Sequence, residues 1–201
     1  MGRNHDRRRA ERHRPGAHLA APKSVGIDIG RVLITPGDGR GDTSFLSGSD
    51  LDAMRTPPSP GAFDVVASLV TAFRGRAWLV SKCGPRIQER SRRWLAHHRF
   101  FERTGMPPSQ LRFCRKRGDK APICAQLGLE AFIDDRPDVL RPMEGIVGWR
   151  YLFGPQKRPG VPHGMIAVRD WAEVGAHLLP LAREGALMPV DVPRTAAAPI
   201  R

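Results

Sequence analysis

Short apolar runs that end in polar residues alternate along this chain with stretches typical of amphipathic helices. The runs occupy residues 24–29, 77–80, 111–114, 131–133 and 146–153. Strands that alternate with helices in this way pair in parallel, through right-handed crossovers. We therefore predict an α/β fold built around a parallel sheet of about five strands.

The segments between these runs carry start and stop signals for helices. Ser59 is the predicted N-cap of a helix whose apolar face continues to Phe73. Further helices are predicted at residues 85–104 and 120–127. The last is predicted at 170–181, where Asp and Glu have the spacing of a capping box.

Composition divides the chain into a core and two tails. Residues 1–22 are rich in Arg and His without apolar periodicity, which predicts a disordered basic tail. The folded domain is predicted at 23–183, with a flap or loop insert at 34–58, where Gly, Asp and Ser dominate. Residues 184–201 are expected to form a loose tail.

The chain of 201 residues carries a formal net charge of +13, which favours phosphate-bearing partners such as metabolites or nucleic acid. A merely solvated basic surface explains the charge equally well. No apolar run is long enough to span a bilayer, and no secretory pattern is present. Cys83, Cys114 and Cys124 are odd in number and lack metal-site spacing, which indicates reduced thiols. We expect a cytoplasmic protein without a membrane partner.

Polar groups stand at or beside the carboxyl ends of the predicted strands. They are Asp28, Ser81, Lys120 at a helix start, and the pair Asp134 and Asp135. In open parallel α/β sheets, ligands bind just beyond the carboxyl ends of the strands. The sequence therefore predicts that these groups surround one site.

In order and context these residues resemble the haloacid-dehalogenase-like (HAD) phosphohydrolase superfamily. The first motif of that family is an apolar strand ending in Asp-x-Asp, which here is Asp28-Ile29-Gly30. Ser81, Lys120 and the pair Asp134-Asp135 match the remaining three motifs. The run from Asp119 to Asp138 looks particularly like the 5′(3′)-deoxyribonucleotidase branch.

This resemblance covers roughly residues 24–153. It implies a HAD-like Rossmannoid three-layer sandwich around the parallel sheet. The segments 34–58 and 82–119 are each too short for a full additional cap domain, so we expect a capless protein.

The resemblance also implies roles for the site residues. Asp28 would be the nucleophile that forms an aspartyl phosphate. Ser81 would donate a hydrogen bond to a phosphate oxygen, and Lys120 would neutralise the transferring phosphoryl group and hold Asp28 in place. Lys82, next to Ser81, is a further candidate for substrate binding.

The cofactor implied by the resemblance is Mg²⁺, which prefers oxygen ligands. Asp28 and Asp134 would supply carboxylate ligands, and the backbone carbonyl at Gly30 would supply another. Asp135 would lie in or near the metal's second shell.

One position departs from the family pattern. Gly30 stands where phosphate-monoesterases of the family usually carry a second Asp, whose acid–base help is typically worth about 10²–10⁴-fold. The substrate then has a good leaving group such as an acyl phosphate, or Asp38, Asp42 or a His replaces the acid, or the protein binds a ligand with little turnover.

Two functions stay open at this point. The first is a Mg²⁺-dependent phosphohydrolase acting on a phosphorylated small molecule or nucleotide. The second is a weak or inactive relative that binds a phosphorylated ligand, or nucleic acid through its basic surface and tail. The Arg-rich helix at 86–103 and the basic stretch 112–120 suit a nucleotide or polynucleotide phosphate, or are simply exposed.

Overall fold

One parallel sheet of six strands organises the part of the chain that the structure describes. A computed structural model describes residues 19–35, 45–46, 48–156 and 160–187. Its strands are β1 (Val25–Ile27), β2 (Ala77–Lys82), β3 (Leu111–Cys114), β4 (Ala131–Asp134), β5 (Trp149–Phe153) and β6 (Ile166–Val168). They lie in the order β3-β2-β1-β4-β5-β6, and every neighbouring pair is parallel. The predicted α/β fold is confirmed, with β6 as an additional edge strand.

Helices cover both faces of this sheet. They are α1 (Asp50–Arg55), α2 (Ala62–Ala72), α3 (Pro85–His97), α4 (Phe100–Thr104), α5 (Lys120–Leu127), α6 (Pro137–Leu140) and α7 (Trp171–Leu187). Short 3₁₀ turns occupy Pro108–Gln110, Arg117–Asp119 and Arg141–Met143. Helices α2, α3 and α7 pack on one face, and α5 and α6 pack on the other. None of the described helices has the length and apolar character needed to cross a bilayer.

The core consists of two clusters, one on each face of the sheet. Ile27 and Ile133 belong to the cluster beneath α2 and α7, whereas Val80 and Phe132 belong to the cluster beneath α5. Because both faces are covered, the central strands are continuous apolar runs rather than alternating ones. Gly26 is required in β1, since a Cβ there would lie 2.4 Å from the Phe132 ring.

The first predicted helix begins later than expected. Its N-cap is Gly61, in the left-handed conformation with φ of 73°, and not Ser59. The Ser59 amide instead donates to the Leu33 carbonyl at 2.8 Å, and its hydroxyl accepts from Thr35 at 3.3 Å. These contacts bind Ser59 to the turn after β1. Ser59 therefore does not cap the helix, although the local sequence had predicted that it would.

Two other helix boundaries differ from the prediction. The single helix expected at 85–104 is interrupted at Arg99, which has a φ of 54°, and so forms α3 and α4. The last helix, α7, continues to Leu187, beyond the predicted end at residue 181. Asp170 accepts a hydrogen bond from the Glu173 amide at 2.9 Å, as the predicted cap requires.

The predicted flap at 34–58 contains α1, which the sequence analysis did not predict. Ser49 and Asp52 form a reciprocal capping box at its start. The tails expected at 1–22 and 184–201 lie largely outside the described residues, so their predicted disorder stays a prediction.

The direction of strand addition reverses between β1 and β4. From β1 the sheet grows through β2 to β3, and from β4 it grows through β5 to β6. Such a reversal opens a crevice at the carboxyl ends of the two central strands. Asp28 follows β1, and its amide donates to the Ile133 carbonyl of β4 at 3.0 Å. The fold therefore places Asp28 beside Asp134 in that crevice.

Candidate active site

A buried ammonium group links the two central carboxylates. Lys120 Nζ lies 2.7 Å from Asp28 Oδ1 and 2.7 Å from Asp134 Oδ2. The Lys120 side chain is 2% exposed, and Asp134 is fully buried. An ammonium taken out of water is stable only with such opposite charges beside it. The sequence prediction that these three groups converge agrees with this geometry.

Local structure explains how each group reaches the crevice. Lys120 is the first residue of α5, and its Nζ lies 5.5 Å from the centre of the Phe132 ring. Asp134 is the last residue of β4, and its Oδ1 accepts the Arg136 amide at 3.0 Å. Asp135 follows, with its Oδ2 3.2 Å from Arg31 Nε.

The charges of these groups depend on their burial and on each other. Burial opposes the charged form of Lys120, but the attraction of Asp28 and Asp134 outweighs it and raises the pKa of the ammonium. Burial is the main reason that the pKa of Asp134 rises to about 7, an effect that Lys120 opposes. Burial, reinforced by Asp28, likewise raises the pKa of Asp135 to about 6. The site thus holds carboxylates that a further cation would stabilise.

Three carboxylates are placed to share such a cation. Asp28, Asp134 and Asp135 each offer one oxygen, and these oxygens all lie within 4.8 Å of one another. Oxygen donors of this kind suit Mg²⁺, which binds through a few carboxylates and retains several waters. The donor chemistry therefore fits the metal implied by the family resemblance. Gly30 lies in the wall of the same cavity.

The carboxylates line an open cavity of about 330 Å³ at the strand ends. Ser81 and Lys82, predicted to bind substrate, also line it, together with Lys120. Ser81 is 7% exposed. Lys82 is exposed at the rim. All the predicted site residues therefore lie around this one cavity.

Within the described part of the chain, no residue suggested as a substitute acid lines the cavity. Asp38 and Asp42 fall outside the described residues. No histidine lines the cavity within the described part of the chain. His98 packs elsewhere, with its Nε2 2.9 Å from the Met54 carbonyl oxygen.

Cys83 lines the cavity but is poorly suited to act as a nucleophile. Burial is the main cause that raises the pKa of its thiol to about 11, so the reactive thiolate is scarce at neutral pH. Cys83, Cys114 and Cys124 are all free and buried, which agrees with the reduced thiols that we predicted.

Three further cations lie in the cavity wall, and the sequence analysis had included only Arg117 among its candidates, as part of the basic stretch 112–120. They are Arg31, Arg117 and Arg136, which follow β1, β3 and β4 respectively. Arg31 and Arg136 each lie within four residues of the end of their strand, so the reasoning that found Asp28 would have found them as well.

The arginines of α3 hold the segment around α1 in place. Arg90, which is 6% exposed, donates to the Phe45 carbonyl at 2.9 Å and to Asp50 at 2.9 Å. Arg93 pairs with the same Asp50 at 2.6 Å. Because Phe45 lines the cavity, these contacts fix one wall of the site. They favour an internal role for this pair of arginines over a nucleic-acid surface.

Comparisons with known proteins relate the chain to others by structure and not by sequence. No protein-family model matches it, and no curated protein sequence matches it significantly. The structure is similar to a haloacid dehalogenase-like family hydrolase from Xanthomonas campestris, with a TM-score of 0.53 and 16% identity over 83% of this chain and 99% of that one. It is also similar to the D,D-heptose 1,7-bisphosphate phosphatase from Burkholderia thailandensis, with a TM-score of 0.50 and 13% identity over 76% of this chain and 95% of that one.

Proposed function

Because the chain has the haloacid-dehalogenase-like fold, we propose that it is a Mg²⁺-dependent phosphohydrolase that acts through an aspartyl phosphate. One observation carries the proposal. Asp28, Asp134 and Asp135 converge to within 4.8 Å at the strand ends, while a buried Lys120 pairs with Asp28 and Asp134 at 2.7 Å each. An ammonium and a carboxylate cluster in one cavity suit the transfer of a phosphoryl group.

In the first step, an Asp28 oxygen attacks phosphorus in line with the leaving group. A bond forms between the carboxylate and phosphorus, and the leaving oxygen departs with the electrons of its P–O bond. Water then attacks the aspartyl phosphate, which releases inorganic phosphate and restores the Asp28 carboxylate. Asp28 is 7% exposed, so it has the access to the cavity that this attack needs.

The surrounding side chains bind the phosphoryl group. Lys120 offsets its negative charge and holds Asp28 at a fixed position through the contact at 2.7 Å. The Ser81 hydroxyl, which lines the cavity, donates to a phosphate oxygen. Lys82 at the rim attracts the anionic substrate.

Asp28, Asp134 and Asp135, with the backbone carbonyl at Gly30, would hold Mg²⁺. When bound, the ion screens the repulsion between the attacking carboxylate and the phosphate oxygens. The cluster of three carboxylates beside one ammonium supports this ligand set.

The missing carboxylate at position 30 points to a class of substrates. Without a carboxyl group at position 30 to protonate the leaving group, phosphates whose leaving groups are weakly basic should react fastest. Acyl phosphates and aryl phosphates belong to this class. The resemblance of residues 119–138 to the deoxyribonucleotidase branch adds nucleotides to the substrates to be tested first.

A phosphate-release assay tests the proposal. Purified protein is incubated with acetyl phosphate, p-nitrophenyl phosphate and thymidine 5′-monophosphate, with Mg²⁺ or with EDTA. We expect turnover that requires Mg²⁺ and disappears in Asp28→Asn, which keeps the shape of the side chain but removes its charge. Turnover that survives in Asp28→Asn, or no turnover on the whole panel, contradicts the proposal.

The second candidate is a weakly active protein that binds a phosphorylated ligand or nucleic acid. Gly30 favours it, because the wall of the cavity then lacks the usual acid–base group. Binding to nucleic acid would weaken steeply with salt and would also weaken when residues 1–22 are removed. Affinity for single-stranded DNA that changes with neither treatment contradicts this candidate.

A further inference from the structure

Four neighbouring strands each place one cation at the mouth of the cavity. Lys82 ends β2, Arg117 follows β3, Arg31 follows β1, and Arg136 follows β4. These strands are adjacent in the order β3-β2-β1-β4, so their loops form one continuous edge. We name these four side chains the cationic rim. None of them takes part in the central contacts between Lys120 and its carboxylates.

The cavity has more positive charge than the transfer of one phosphate needs. Among the described residues its wall contains five cations, the rim and Lys120, against three carboxylates. A Mg²⁺ ion and the dianion of one phosphate monoester would cancel each other. Asp138, which pairs with Arg117 and Arg136, cancels one more positive charge. An excess of one positive charge would then remain at the mouth, where it favours another anion.

Two of the rim cations, Arg117 and Arg136, remain accessible to a ligand, whereas Arg31 pairs with Asp135 at 3.2 Å. Arg117 and Arg136 share one carboxylate, Asp138, at distances of 3.8 Å and 3.0 Å. The Arg117 side chain is 47% exposed and that of Arg136 is 42% exposed. Guanidinium groups bind phosphate through paired hydrogen bonds. Because two guanidinium groups share the single carboxylate of Asp138, N–H donors remain for a phosphate.

We propose that the cationic rim is a second anion subsite and that the preferred substrate is a small bisphosphate, with one phosphate transferred and the other held by Arg117 and Arg136. This inference rests on the proposed phosphohydrolase function and adds the class of substrate. A cavity of about 330 Å³ lies at the lower end of the range that small ligands occupy.

The test compares thymidine 3′,5′-bisphosphate with thymidine 5′-monophosphate and thymidine 3′-monophosphate. We expect kcat/KM to be about 10–100-fold higher for the bisphosphate, the usual effect of a charged hydrogen bond. Arg117→Gln should reduce this preference about tenfold, and Arg117→Lys should keep part of it. Arg115→Gln is the matched control, because it removes the same charge two residues away, and Arg115 does not line the cavity.

Binding to Asp28→Asn, measured by calorimetry with Mg²⁺ present, separates the two claims. Tighter binding of the bisphosphate that depends on Arg117 supports the subsite even if the wild-type protein shows no turnover. Equal rates and equal affinities for mono- and bisphosphates overturn the subsite while the phosphohydrolase function stands. A higher rate on 5′-phosphorylated dithymidylate than on the bisphosphate overturns the small-molecule assignment. If Arg115→Gln reduces the preference for the bisphosphate as much as Arg117→Gln does, the placement of the subsite is overturned.

Discussion

Replacing Gly30 by Asp should place an acid–base group at position 30, where this chain has no side chain. A Cβ added at Gly30 meets no heavy atom of the described residues within 4 Å, and the Gly30 backbone is outside the left-handed region. Because Gly30 lines the cavity, the new side chain would lie in the cavity wall. We therefore expect the variant to fold and to place a carboxyl group near the leaving oxygen.

The size of the gain should depend on the leaving group. General acid catalysis is worth about 10²–10⁴-fold when the leaving oxygen is strongly basic, and much less when it leaves easily. The environment suits an acid near neutral pH, because burial and the neighbouring Asp28 already raise the pKa of Asp135 to about 6. We expect a gain of about 10²-fold or more on thymidine 5′-monophosphate and little change on acetyl phosphate.

The assay measures kcat from the release of inorganic phosphate at saturating Mg²⁺. Gly30→Asn is the matched control, since its side chain has the same size but donates no proton. The expected result is a large gain for Gly30→Asp alone, confined to the alkyl phosphate. Equal rates for Gly30→Asp and Gly30→Asn on thymidine 5′-monophosphate would refute the placement of this group beside the leaving oxygen.

Three further predictions concern the charged groups of the site. Lys120→Met leaves Asp134 buried without its partner, so without Mg²⁺ the free energy of unfolding measured in urea should fall by about 3–5 kcal/mol. An unchanged urea midpoint would contradict that contact. Asp134 and Asp135 have raised pKa values in the metal-free fold, so between about pH 4 and pH 7 the folded protein retains protons that the unfolded chain has lost. Their contribution to the free energy of unfolding therefore decreases as pH rises through this range. Because Mg²⁺ binds the deprotonated forms, the gain in Tm on adding it should be larger at pH 8 than at pH 5.5, and a gain that is the same at both would contradict this linkage. Arg90→Gln should lower the free energy of unfolding by about 1–3 kcal/mol, and it should raise KM because Phe45 in the cavity wall loses its contact. Arg93 is exposed, so Arg93→Gln should change the free energy of unfolding by less than about 0.5 kcal/mol. Equal effects of the two variants would contradict the role of Arg90 in holding this wall.

Local sequence was a good guide wherever the determining interactions lie close along the chain. The strand that leads to Asp28, the start of a helix at Lys120, and the left-handed Gly128 after that helix all follow from neighbouring residues. The prediction was wrong at Ser59, because the bonds that decide its role reach back to Leu33 and Thr35. Helix α1 was missed although its capping box, Ser49 to Asp52, is a local signal.

By itself the sequence determined which side chains stand at the ends of which strands, because burial and turn formation act over a few residues. Only the tertiary structure decided that β1 lies beside β4, since strand order depends on pairing between segments about 100 residues apart. That order brings Asp28 to Asp134 and buries Lys120 between them. It also collects Arg31, Arg117 and Arg136 at one edge. The charge state of the site depends on this burial, and these groups become buried only when the chain folds.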